Sequence, residues 1–394
     1  MPRWFARTPS AAPAPPPSRA ELRIGIPRVL NLWSTHQFWF GLFTALGIDP
    51  RRLVFSSDTS EEQGRQFGKG RGTVDCCYPV KCMSGHYGEL VFGQREKLDL
   101  IFSPMIYNLP SFLSGHVART LTCPRVMAAP ENIKAGFLKE RDVFAQHGIR
   151  YVAPFVSLDE PLLVPKQLFE GLRDALPGLT PAETARAVDQ GYAALRAFSE
   201  RLRRQSREVL EWCAGEDRPA ILVLARPYHM DPGIGHEIEV DLQAQGYPIL
   251  WAQYLPIDAD LLGWAFGADV AAGHIRSPLD IRDIWPSSYS SNTNEIIWGA
   301  KFAARVPWIA CVVRLSSYEC GMDQPTYTPV QQTVERSGTL FFSFQDLDAT
   351  KPAGSMKIRV ETITHYLGGL ASSIIATKKA AMPAGCPLLA PVTV

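Results

Sequence analysis

From residue 22 onward the apolar positions fall into short runs separated by segments with helical spacing. Leu22–Val29, Arg52–Phe55, Leu98–Ser103 and Arg150–Phe155 read as strands, and Cys123-Pro-Arg-Val-Met127 is expected to lead another. Helical patterns lie between them, at Gln37–Gly47, Ser60–Phe67, Met83–Phe92 and Asn132–His147. From Thr180 to Trp212 the pattern becomes one long charged run, rich in Ala and Arg, that opens at Leu-Thr-Pro. A second series begins with Pro219-Ala-Ile-Leu-Val-Leu-Ala225, a continuous apolar run typical of a central parallel strand. It continues through a helix near Gly235–Gln245, a strand at Tyr247–Trp251 and a helix at Asn294–Ala304. Strands at Trp308–Leu315 and Thr339–Phe344 and a last helix from Met356 to about Leu367 close it.

Strands alternating with helices predict a mainly parallel sheet. The expected fold class is therefore α/β: two Rossmann-like, doubly wound parallel-sheet lobes joined by a long helix and facing a cleft. The division is a disordered Pro-rich tail over 1–20, a first lobe over 21–157, a helical connector over 158–215, a second lobe over 216–372 and a C-terminal tail over 373–394. Ligands in such folds sit beyond the carboxyl ends of the strands. The length of 394 residues agrees with two domains. Forty Lys and Arg against 39 Asp and Glu leave a net charge of +1, so no global field draws in nucleic acid or an anionic membrane. No apolar run reaches membrane-spanning length, and the start of the chain lacks the apolar core of a signal peptide. A cytoplasmic location is expected.

Three of the eight cysteines crowd into Asp75-Cys-Cys-Tyr-Pro-Val-Lys-Cys82, a density that points to metal or redox chemistry rather than packing. Cys77 and Cys123 each precede a proline-containing turn, and Cys320 follows the strand ending near Leu315. All three are expected in loops at strand ends or helix starts, where helix-terminal charge would favour thiolates. An iron–sulfur cubane needs thiolates converging from several such loops. Zinc favours paired C-x-x-C ligands, which are missing, and unrelated buried thiols are the remaining reading. Cys213 and Cys311 have the surroundings of core thiols, and Cys386 lies in the tail. Arg226 and His229 follow the most hydrophobic strand, where they would serve as anion clamp and proton donor or as turn and capping residues. His86 shares a predicted helix with Cys82, as a packing residue or one facing the cysteines. No G-x-x-x-x-G-K-[ST] or strand-linked G-x-G-x-x-G occurs, so if the chemistry needs nucleotide hydrolysis another polypeptide must supply it.

Taken in order, Ile24-Gly-Ile-Pro-Arg-Val-Leu-Asn31, Phe38-Trp-Phe, Cys77-Tyr-Pro-Val-Lys81, Arg226-Pro-Tyr-His229-x-Asp231 and Glu319-Cys-Gly-Met-Asp323 resemble the 2-hydroxyacyl-CoA dehydratase and CoA-enzyme activase-related superfamily. The resemblance covers roughly Leu22 to Leu367 and is strongest to the dehydratase-like segment of the large activase proteins. It implies a [4Fe–4S] cluster, or a double-cubane [8Fe–9S] cluster, held between the lobes by Cys77, Cys123 and Cys320. Cys76 and Cys82 are additional thiols beside that set. It also implies an ATP-hydrolysing activator of the acetate-kinase or actin-like type that delivers single low-potential electrons, and a homodimeric or heterodimeric assembly. The expected function is an iron–sulfur reductase or dehydratase-like component, with Arg226 and His229 acting in the same cleft. The alternative is a non-catalytic electron relay or scaffold, or a fold relative without a cluster.

Overall fold

The computed structural model describes residues 18–72, 76–348 and 353–389. Most of the expected N-terminal tail, residues 1–17, lies outside them, as do 390–394 of the expected C-terminal tail. In the first lobe the chain runs β1 (Ile24–Ile26), α1 (Asn31–Ala45), β2 (Leu53–Phe55), α2 (Glu61–Gln63) and α3 (Tyr78–Gly88). It continues through β3 (Leu100–Phe102), β4 (Met105–Asn108), α4 (Pro124–Leu138), α5 (Val143–Gln146), β5 (Arg150–Val152) and β6 (Phe155–Ser157). Strands β2-β1-β3-β5 form a parallel sheet in that order. β4 and β6 form a second parallel pair just past Pro104 and Pro154, prolonging the paths of β3 and β5.

The connector holds α6 (Val164–Leu172) and α7 (Pro181–Gly215). Thr180 starts α7 by accepting the Glu183 backbone N–H on its side chain, with Pro181 at the first helical position. Near its start, Ala187, Val188 and Tyr192 pack into the first lobe's core; near its end, Leu210, Cys213 and Ala214 pack into the second's. The second lobe runs β7 (Ala220–Leu224), α8 (Pro232–Gly235), α9 (Ile238–Ala244), β8 (Ile249–Trp251), α10 (Ala259–Ala271) and α11 (Ser291–Arg305). It ends with β9 (Ile309–Ser317), α12 (Tyr327–Glu335), β10 (Leu340–Leu347) and α13 (Ala353–Ala381). Its sheet is β10-β9-β7-β8, again wholly parallel. In each lobe the four sheet strands are therefore ordered second, first, third, fourth. In each, the switch point lies between the first and third strands, β1 and β3 or β7 and β9.

Burial follows from this layering. β7 and β9 are covered on both faces, which is why Ala220–Leu224 and Ile309–Val313 read as unbroken apolar runs. The first core is aromatic: Trp39 and Phe43 of α1 meet Phe102 of β3 at ring-centre distances of 5.0 and 4.9 Å. A third apolar cluster crosses between the lobes, joining Cys76, Cys77, Val80 and Met83 to Tyr228 and Ile234. Two local expectations change. Cys123–Met127 does not lead a strand; Pro124 is the first residue of α4. The final helix runs on to Ala381, into the expected tail, and Cys386 beyond it is buried against the second core.

Candidate functional site

Cys77 is the N-cap of α3 and Cys123 the N-cap of α4, each followed by a proline inside the first turn. Cys320 follows β9 in a tight turn, where its backbone N–H donates to Ser317 O and its carbonyl accepts from Asp323 N–H. Glu319, immediately before it, takes a left-handed φ of 63°, which reverses the chain at the sheet's carboxyl edge. These three turns come from both lobes and approach the same junction. Cys77 lies within electrostatic range of Cys320, Cys76 and Cys123, and the buried Tyr228 lies within range of Cys320, Cys77 and Cys123.

Burial controls the protonation of these groups. It pushes the Cys77 thiol up to about 12, with the Val80 N–H only partly opposing it. It also raises Cys320, against the opposing charge of Arg226. The helix starts therefore do not hold Cys77 as a free thiolate, as the sequence led one to expect: desolvation outweighs the helix-terminal charge. Cys82, one turn along α3 beside Tyr78, is raised by burial too. Among the described residues no three His, Cys, Asp or Glu side chains are gathered to hold a single metal ion. A preformed tetrahedral zinc site, whose ligands all touch one atom, is not what the thiols make.

Arg226 and Asp323 form a buried ion pair, Nη2 to Oδ1 at 2.8 Å, with side chains 2% and 1% exposed. Burial pushes the Asp323 carboxyl up, but Arg226 and Arg314 outweigh it and hold it below the ordinary range. Ser316 Oγ donates to the same carboxylate at 3.1 Å, and Arg226 Nη2 also reaches Thr293 Oγ1 at 3.4 Å. The charge of Arg226 is felt by Cys320. His229 is buried with Nε2 at 3.2 Å from Ser317 Oγ and Nδ1 at 3.2 Å from Arg226 O; burial lowers it to about 4. Arg226 and His229 thus adjoin the Cys320 turn, but Arg226 Nη2 and both ring nitrogens of His229 already have protein partners.

His86 does not face the thiols. It is fully buried on α3 between Ser56 Oγ, 2.8 Å from Nδ1, and Thr59 Oγ1, 2.9 Å from Nε2. Thr59 Oγ1 donates to Asp231 in the second lobe at 3.0 Å, so it accepts from an Nε2–H of His86. Ser56 Oγ accepts the Arg28 backbone N–H, so its own hydrogen goes to Nδ1. The network thereby fixes the neutral Nε2–H tautomer and ties α3 to the start of α8, where Asp231 also accepts the Thr59 and Gly233 N–H groups. Burial lowers His86 to about 3. Protons then bind the unfolded chain more than the folded one between about pH 6.5 and 3, so this contribution is complete above 6.5 and falls with pH through that window. Urea midpoints measured from pH 7.5 to 4.5 are expected to fall steadily, and His86→Gln to flatten the slope; an unchanged slope would mean that His86 titrates normally.

Ser56, Thr59, Ser317 and Arg314 escape sequence reasoning. Arg314 sits mid-strand in β9, its guanidinium 3.9 Å from the Tyr327 ring centre and hydrogen-bonded to Asp323 O and Thr326 Oγ1. Cys213 and Cys311 are core thiols, as expected.

Fold and site together define a two-lobed parallel α/β protein whose lobes share a cysteine-bearing junction. The family model described as the CoA enzyme activase uncharacterised domain matches residues 23–255, well over half of the chain, and the protein belongs to that family. The matched segment spans the first lobe, the connector and β7–β8, and carries Cys77, Cys123, Arg226 and His229; Cys320 lies beyond it. No curated protein matches the chain. Among the described residues no helix is long and apolar enough to cross a membrane.

Proposed function

We propose that this chain is an iron–sulfur protein in which Cys77, Cys123 and Cys320 hold a [4Fe–4S] or larger cubane-type cluster. In this reading it acts as a low-potential reductase or dehydratase-like component fed by a separate ATP-hydrolysing activator. The observation that supports the reading is that Cys77, Cys123 and Cys320, from turns 46 and 197 residues apart in the chain, all lie within electrostatic range of Tyr228. The donor set suits iron and sulfide: all sulfur, largely buried, and walled by apolar and aromatic groups. A cubane carries its thiolates at separate corners, so its ligands need not crowd around one atom. Such a cluster supplies one-electron chemistry, and three protein ligands leave one iron open to a substrate. Because the Cys77 and Cys320 thiols are protonated when free, cluster binding must release protons and weaken as pH falls.

Anaerobic purification followed by iron and sulfide analysis tests this. The wild-type protein is expected to be brown, with absorbance near about 400 nm. Cys77→Ser, Cys123→Ser and Cys320→Ser should each lose most of the iron, whereas Cys311→Ala should keep it. A colourless wild-type protein after reconstitution would favour the alternative of a scaffold or relative without a cluster. That alternative draws on the pairing of Arg226 with Asp323, which engages its Nε and Nη2 in the protein's own ion pair.

A further inference from the structure

We propose that Tyr228 donates a hydrogen bond to the sulfur of the iron–sulfur group held by Cys77, Cys123 and Cys320, and thereby raises its reduction potential. The proposal rests on the cluster reading above and adds to it the residue that tunes the site.

Tyr228 lies in the turn Pro227–Met230, just past β7, at the carboxyl edge where the second lobe's sheet has its switch point. Two contacts tie this turn to the one that carries Cys320. Arg226 Nη2 donates to Asp323 Oδ1 at 2.8 Å, and His229 Nε2 lies 3.2 Å from Ser317 Oγ. Residues 226 and 229 bracket Tyr228 as 317 and 323 bracket Cys320, so the two turns are held against each other. The Tyr228 ring is stacked on His229, with 5.2 Å between centres and 29° between planes. From the first lobe's side, Tyr228 shares an apolar cluster with Cys77 and Val80, against which Cys123 packs.

The phenol itself is uncommitted. Tyr78 donates to Gly233 O at 2.8 Å, Tyr192 donates to Leu158 O at 2.7 Å, and Tyr87 shares a hydrogen bond with Tyr151 at 3.0 Å. Tyr228 is as buried as these, at 4% exposure, yet its Oη has no hydrogen-bond partner among the described residues. Buried phenols normally find one. The flanking side chains that the sequence singled out are engaged in holding the turn: Arg226 Nε and Nη2 on Asp323, and the His229 ring nitrogens on Arg226 O and Ser317. Protonated thiols are weak acceptors, so the iron-free site offers the phenol little. The thiolates and sulfides of an iron–sulfur group are anionic and accept readily. An ordinary phenol keeps its proton at neutral pH, so it donates without adding a charge. Hydrogen bonds to the sulfurs help set a cluster's potential. A donor here favours the more negative, reduced state and moves the potential up.

Tyr228→Phe and Tyr192→Phe, made in the full chain and purified anaerobically, test this with two readouts. In the iron-free protein Tyr228→Phe should leave the urea midpoint unchanged or raise it, since no bond within the chain is lost. Tyr192→Phe, which loses its bond to Leu158 O, should lower it. After reconstitution both variants should hold as much iron and sulfide as the wild type. A redox titration followed by electron paramagnetic resonance should then place the midpoint potential of Tyr228→Phe below the wild-type value and that of Tyr192→Phe at it. A Tyr228→Phe chain that fails to fold, or loses urea resistance as Tyr192→Phe does, would show the phenol bonded within the protein and overturn the proposal. Full iron with an unshifted potential would overturn it while leaving the cluster reading intact. Iron lost from a well-folded Tyr228→Phe would make the residue necessary for binding and overturn the tuning role. A wild-type protein without iron after reconstitution would overturn the cluster reading and this donor with it.

Discussion

Arg226→Ala is expected to lower the unfolding free energy by about 3–5 kcal/mol, the range seen when one member of a buried ion pair is removed. The cost arises less from the lost attraction than from what stays behind. Asp323 keeps a carboxylate 1% exposed whose main counter-charge has gone, with Arg314, the Ser316 hydroxyl and the Cys320 thiol left to support it. Arg226→Met combined with Asp323→Leu should recover much of the loss, because replacing both ions removes their desolvation cost as well. Urea denaturation at neutral pH decides between these outcomes. A loss below about 1 kcal/mol for Arg226→Ala would show the pair behaving like a solvated surface bridge. Since Arg226 also lowers the cost of charging Cys320, iron retention by the double variant separates its structural part from any part at the thiols.

Gly233→Ala should be nearly as damaging, for a steric reason. A Cβ at residue 233 would lie 2.1 Å from Thr59 O and 2.5 Å from Thr59 C, both backbone atoms of the other lobe. Backbone cannot swing aside as a flexible side chain can, so the start of α8 must retreat from the first lobe. The retreat strains Thr59–Asp231 and the bond from Tyr78 Oη to Gly233 O at 2.8 Å. Overpacking of this kind costs about 1–3 kcal/mol and occasionally more. Gly263→Ala in α10, where a new Cβ meets nothing within 4 Å, is the control and should be neutral or mildly stabilising. Equal denaturation midpoints for the two variants would mean that the lobes do not rely on this contact. If the thiols depend on the lobes' register, Gly233→Ala should also bind less iron than the control.

The architecture was legible wherever burial leaves an unbroken signature. Ala220–Leu224 and Ile309–Val313 are apolar throughout because sheet and helices cover both faces, and α7 shows its cap, its proline and its periodicity. Cys123–Met127 misled because a β-branched residue in a short apolar stretch looks like a strand, although Pro124 is a helix-start residue. The far half of α13 was missed because Gly368-Gly369 and Ser372-Ser373 look like helix breakers, yet packing of Leu367, Ala371 and Ile375 carries the helix through them. At the site, the turns bearing Cys77, Cys123 and Cys320 were readable from their prolines and from the strand before Cys320. The partners of His86 and Arg226 were not. Ser56 and Thr59 are ordinary loop hydroxyls 30 and 27 residues from His86, and Asp323 is 97 residues from Arg226. No periodicity links such positions; only the closure of one lobe on the other does.

Helix α7 has a mechanical consequence. Its 35 residues span about 50 Å at the usual rise per residue, with one end sunk in each core. Two domains joined by a flexible strand of chain can swing apart at little cost, but here the link is a rod clamped at both ends. Separating the lobes would require bending that rod or extracting one end from its core. Traffic to the junction is then best served by small displacements of the turns around it, with the rod fixing the gap between the lobes like the spine of a half-closed book.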